Sequence, residues 1–97
     1  MVNALVMLKV QRDSVEKIAG EVADIAGVSE VYSVAGRYDL AVMIRVKDNE
    51  ALADIVTGKL LKVKGITDSE THIAFRVYSR HDLESMFSLP GPSAGAP

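Results

Sequence analysis

The 97-residue chain contains no cysteine. That excludes disulfides, thiolate metal sites and a cysteine nucleophile, and it fits a reducing compartment. Its two histidines, His72 and His81, stand alone, outside the HxH, HxxxH and HExxH spacings of metal sites. No GxGxxG or Walker pattern is present and no serine has a nucleophile-elbow context, so neither metal nor cofactor is expected. No apolar run approaches the roughly 20 residues of a membrane-spanning helix. The apolar start MVNALVMLKV lacks the basic region and cleavage site of a signal peptide. Lys and Arg number 11 against 13 Asp and Glu, and no basic cluster stands out; direct nucleic-acid binding lacks its electrostatic footprint. A cytoplasmic protein without a membrane or nucleic-acid partner is the expectation.

What remains is an ordinary globular composition, 48% hydrophobic and 25% charged, and a length that suits one domain with a modest core. Ala4–Val10 reads as a strand with Ala4, Val6, Leu8 and Val10 on one face and Leu5, Met7 and Lys9 on the other. Asp13 followed by Glu16 resembles a capping box. The helix it opens runs to about Ala26, with Val15, Ile18, Val22 and Ile25 as its apolar stripe. Gly20 in mid-helix suggests close packing, and Gly27 suits a left-handed stop. Asp48 and Asn49 cap a second helix from Glu50 to about Lys62, with Leu52, Ile55, Val56, Leu60 and Val63 inward. Gly58 interrupts that stripe. A last strand spans Thr67 to about Ser79, and Asp82–Phe87 suits a short helical turn. LPGPSAGAP ends the chain with all three of its prolines and reads as a loose tail. The domain is placed at 1–80 and a C-terminal extension at 81–97.

Between the helices lies VYSVAGRYDLAVMIRV, Val31–Val46. Two apolar runs joined by a short Gly-containing segment read as a β-hairpin, with Gly36 the natural pivot. Asp39 stands at the mouth of a very apolar strand. Its carboxylate either accepts N–H groups of its own turn or meets a cationic partner. Ser69 and Thr71 are either plain residues of an edge strand or polar contacts for a ligand.

The order β-α-β-β-α-β predicts an α+β, ferredoxin-like fold: a four-stranded antiparallel sheet with two helices on one face. The first and third strands carry apolar residues on both faces, including Leu5, Met7, Ala41 and Met43. The uncovered face therefore predicts sheet-on-sheet pairing of two copies, a dimeric α+β barrel.

The hairpin Gly36-Arg37-Tyr38-Asp39 before an apolar strand matches a G-x-Y-D motif. Gly65-Ile66-Thr67 with Ser69 and Thr71 forms a second marker. In this order of elements, over roughly residues 2–80, the chain resembles the effector-binding (RAM) domain of the Lrp/AsnC family. The resemblance implies an amino acid effector, dimers formed through the sheets, and further assembly, commonly an octameric ring. It also implies a ligand site at contacts between dimers, made by Gly36, Arg37, Tyr38, Asp39, Ser69 and Thr71. In that site Asp39 would take the ligand ammonium. Arg37 fills a variable motif position. Family regulators carry an N-terminal helix-turn-helix domain, and nothing before Ala4 matches one. The expectation is a stand-alone amino-acid-responsive module, joining a full-length Lrp/AsnC regulator or acting through its own assembly.

Two other classes share the fold. A small monooxygenase-like α+β-barrel enzyme needs an enclosed pocket with converging titratable groups, whereas the faces here are Val, Leu, Ile and Ala. A purely structural assembly protein needs no ligand. The non-enzymatic regulatory module is the favoured reading.

Overall fold

The computed structural model describes residues 1–78. The chain starts with strand β1, Val2–Val10, whose alternate residues Ala4, Val6, Leu8 and Val10 are all buried. A 3-10 turn at Arg12–Ser14 leads into helix α1, Val15–Ala23. Strands β2, Val28–Ser33, and β3, Leu40–Val46, form the expected hairpin. Helix α2, Asn49–Gly58, and a 3-10 turn at Leu60–Lys62 precede strand β4, Ile66–Ala74. All strand pairs are antiparallel, in the order β2-β3-β1-β4. The α+β ferredoxin-like expectation holds.

One face of the sheet carries the core. Leu8, Val6, Leu40, Val42 and Ile44 meet Ile18 and Val22 of α1 and Leu52 and Ile55 of α2, with Leu60 filling in after α2. Their spacing of two in strands and of three or four in helices is what brings these residues together. Among the described residues no polar or charged residue is buried, so the layer between helices and sheet is a packed apolar core. No described helix is long and apolar enough to cross a membrane.

Several local expectations are corrected. The Asp13/Glu16 capping box does not form. The Ser14 N–H donates to the Gln11 carbonyl, so a 3-10 turn absorbs Asp13 and the N-cap passes to Ser14. Helix α1 stops three residues short of Ala26 because the N–H groups of Asp24 and Ile25 donate to carbonyls only three residues back, the tightening common at helix ends. Gly27 is left-handed, at φ +100°, but in the turn beyond the helix rather than at its cap. Gly20 faces open space, with nothing within 4 Å of where a Cβ would lie, so it serves no close packing. Helix α2 ends at Gly58, and Leu60–Lys62 continues as a separate 3-10 turn. The Asp48 cap is present: its Oδ1 accepts the Ala51 N–H at 2.8 Å.

Strand β4 ends at Ala74, short of the expected Ser79, because its last partner is Asn3 near the start of β1. Beyond that point Phe75, Val77 and Tyr78 are exposed. Residue 79, His81, the turn expected at Asp82–Phe87 and the extension at 81–97 lie outside the described residues.

Candidate functional site

Where the β1·β3 ladder runs out, a side chain takes over. The last Cα pair is Leu8 with Leu40, so the Val10 N–H has passed the end of β3 and has no ladder carbonyl to meet. The Asp39 Oδ2 accepts it at 2.9 Å. The Asp39 N–H donates to the Leu8 carbonyl, and its own carbonyl accepts the Val34 N–H. Asp39 therefore ties the hairpin's two strands to β1. The carboxylate does bond a backbone N–H, but one 29 residues away rather than in its own turn. No hydrogen bond among the described residues occupies its Oδ1.

Gly36 takes φ +122°, with open space where a Cβ would stand. A side chain there would be strained by the backbone and not by its neighbours. The Arg37 carbonyl accepts a long, 3.4 Å bond from Lys9 Nζ. Tyr38 reaches across β1: its hydroxyl donates to Glu70 Oε1 at 3.0 Å. Glu70 Oε2 in turn lies 2.5 Å from His72 Nε2. The Tyr38 bond, followed by the His72 contact, holds the Glu70 carboxyl below the usual carboxylate range. That same bond raises the Tyr38 phenol above its ordinary value, with burial adding to it.

Strand parity separates Ser69 and Thr71 from this cluster. Ser69 pairs with Leu8 and Thr71 with Val6, and directly opposed residues share a face. Both thus stand on the helix side, while Glu70, opposite Met7, and His72, opposite Leu5, stand on the open side. Ser69 is half-buried and Thr71 exposed. No hydrogen bond among the described residues joins either to the hairpin. The contiguous residues Gly36 to Asp39 stay together, and the partners they acquire are Lys9, Glu70 and His72. Sequence reasoning passed over those two β4 residues. Their spacing of two, which puts both on one face, was the available signal.

A hairpin with a free carboxylate oxygen, an open glycine turn and an adjoining Tyr–Glu–His chain is equipped to hold a small polar molecule rather than to enclose one. Comparison with known proteins gives the family. A family model described as the Lrp/AsnC ligand binding domain matches residues 3–83. The chain belongs to the Lrp/AsnC ligand-binding domain family. An uncharacterized HTH-type transcriptional regulator of Pyrococcus furiosus is 33% identical over 76 residues, 75% of this chain and 51% of that protein. The chain thus spans about half the length of the curated relatives it matches. The crystal structure of TTHA0845 from Thermus thermophilus is 40% identical, with a TM-score of 0.78 over 82% of this chain and all of that one. The transcriptional regulator NMB0573 of Neisseria meningitidis, solved as a complex with L-Met, shares the fold. It is 18% identical, with a TM-score of 0.73, over 81% of this chain and 53% of its own.

Proposed function

We propose that this domain binds a free amino acid at the Gly36–Asp39 hairpin, at a boundary between copies of the chain, and turns binding into a change of assembly. The observation that carries the reading is Asp39. One oxygen is held by the Val10 N–H, which aims the carboxylate, and the other is free among the described residues to take an ammonium. Membership of the Lrp/AsnC ligand-binding domain family supports it, as does the L-Met complex of a regulator with the same fold. Ser69 and Thr71 enter this reading only from their own face of β4, so they contact the ligand where another copy brings that face to a hairpin. The hairpin contributes Gly36, Arg37, Tyr38 and Asp39.

Assembly starts from the open face of the sheet. Leu5, Met7 and Met43 are half-buried there and Ala41 is buried. Asn3 Oδ1 lies out of solvent without a donor among the described residues. An apolar centre suits a second copy laid sheet to sheet, closing the α+β barrel and leading to a larger ring. The same face offers a full-length regulator of the family a place to join. The role is regulatory and cytoplasmic, not catalytic.

Thermal-shift and calorimetric screening across the common amino acids tests the proposal, with light scattering to follow mass. One or a few amino acids should bind, and Asp39→Asn should abolish binding. Asparagine keeps an acceptor for Val10 while removing the charge. No binding at millimolar ligand, or full binding by Asp39→Asn, refutes the site.

A further inference from the structure

Four of the chain's six lysines meet in one place. The expectation that no basic cluster stands out is corrected: Lys59, Lys62 and Lys64 fall within six residues of one another, and the fold adds Lys17. Helix α1 turns Ser14, Lys17, Ile18 and Glu21 to one side, at the spacing of a single helical face. The 3-10 turn after α2 brings in the rest. Lys59 stands at the start of that turn and Lys62 at its end, where the Lys62 N–H donates to the Lys59 carbonyl at 3.2 Å. Extended backbone at Val63 then returns Lys64 to the side of Lys62. Between these segments lies a cleft of about 450 Å³, lined by Lys17, Lys59, Lys62 and Lys64 with a single carboxylate, Glu21.

The four ammonium groups have no carboxylate within 4.0 Å and no hydrogen-bond acceptor among the described residues. Like charges converging without partners repel one another, and an anion between them removes that cost. Ser14, the N-cap of α1, makes no side-chain bond to the helix N–H groups beside the cleft; its hydroxyl donates to Asp13 Oδ1 at 3.3 Å, which sets a second carboxylate at the cleft's edge.

We propose that this cleft binds a small polyanion with several phosphate or carboxylate groups and a charge near −3, a second ligand site separate from the hairpin. Four lysines less one glutamate leave a surplus of about three positive charges, which a zwitterionic amino acid cannot match. Lysine is a point charge on a flexible stem, suited to clustered anionic oxygens and not to the planar fork geometry of arginine. The volume is that of a small-molecule site. A chain of net charge −2 offers a polynucleotide no extended basic track. Half-buried Val63 supplies an apolar edge for a non-ionic part of the ligand.

Calorimetry at low salt with pyrophosphate, citrate and inorganic phosphate tests the site. Pyrophosphate or citrate should bind with an affinity that falls as salt rises, and more tightly than inorganic phosphate. The tighter of the two assigns a phosphorylated or a tricarboxylic ligand. Lys62→Gln combined with Lys64→Gln, both surface changes, should weaken binding on the order of tenfold, while Lys47→Gln outside the cleft should not. Absence of binding at millimolar anion overturns the proposal. So does an equal loss in Lys47→Gln, or binding of a single-stranded oligonucleotide with neither small anion bound.

Discussion

Replacing Asp39 by alanine tests whether its carboxylate is a structural brace as well as the proposed ligand contact. The bond from Val10 N–H to Asp39 Oδ2 is 2.9 Å long and part-buried, and Val10 itself is only 6% exposed. A hydrogen bond to a charged group contributes about 1.5–3 kcal/mol, and partial access of water to the abandoned N–H keeps the loss toward the middle of that range, about 2 kcal/mol. For a domain of this size a loss of about 2 kcal/mol lowers Tm by about 8–16 °C. Asparagine retains a neutral acceptor, roughly half as strong, so Asp39→Asn should lose only about 0.5–1 kcal/mol. Urea unfolding of the three proteins at one matched concentration gives the comparison, since the proposed assembly would make stability concentration-dependent. Equal losses for alanine and asparagine, or a loss below about 0.5 kcal/mol for alanine, would refute the brace.

The glycines divide by conformation and space. Gly65 has φ +100°, and an added Cβ would lie 2.6 Å from Ile18 Cδ1, so Gly65→Ala should cost about 1–3 kcal/mol. Gly20→Ala, in an open helical position, should add up to about 1 kcal/mol; thermal melts separate the two. The Glu70 carboxyl lies below its ordinary range, so the unfolded chain binds more protons there. The stability Glu70 contributes at neutral pH is therefore lost as pH falls through and below the carboxylate range. NMR titration should show Glu70 protonating at higher pH in Tyr38→Phe, and an unchanged titration would exclude the bond. Met43→Lys, on the open face beside Leu5, should lower the assembled mass by light scattering without unfolding the chain. An unchanged mass would move the interface elsewhere.

Element order, the inward faces of both helices and the two-sided apolar character of β1 and β3 were legible in the sequence. Each depends on local periodicity, and burial follows periodicity when one face must leave water. The Asp48 cap of α2 was legible too, but both ends of α1 and the C-terminal end of α2 were not. Whether Asp13 or Ser14 caps α1 depends on one backbone bond, from Ser14 to Gln11, that either residue type permits. The G-x-Y-D hairpin stood out because glycine and a carboxylate at a strand mouth are chemically conspicuous. Its neighbours did not, because the spacing of Glu70 and His72 shows that they share a face but not that Tyr38 reaches them across an intervening strand.

The sequence by itself determined the α+β architecture, the family and the hairpin around Asp39. These follow from alternation, helical spacing and a motif, all of them short-range patterns along one chain. Only the tertiary structure decided what Asp39 holds, because register sets where β3 ends and so leaves the Val10 N–H for a side chain to satisfy. Register also put Ser69 and Thr71 on one face of β4 and Glu70 and His72 on the other. The lysine cleft is likewise a tertiary fact. Lys17 is more than forty residues from Lys59, Lys62 and Lys64 in a chain whose charges nearly balance, and only the packing of α1 beside the 3-10 turn makes them one field.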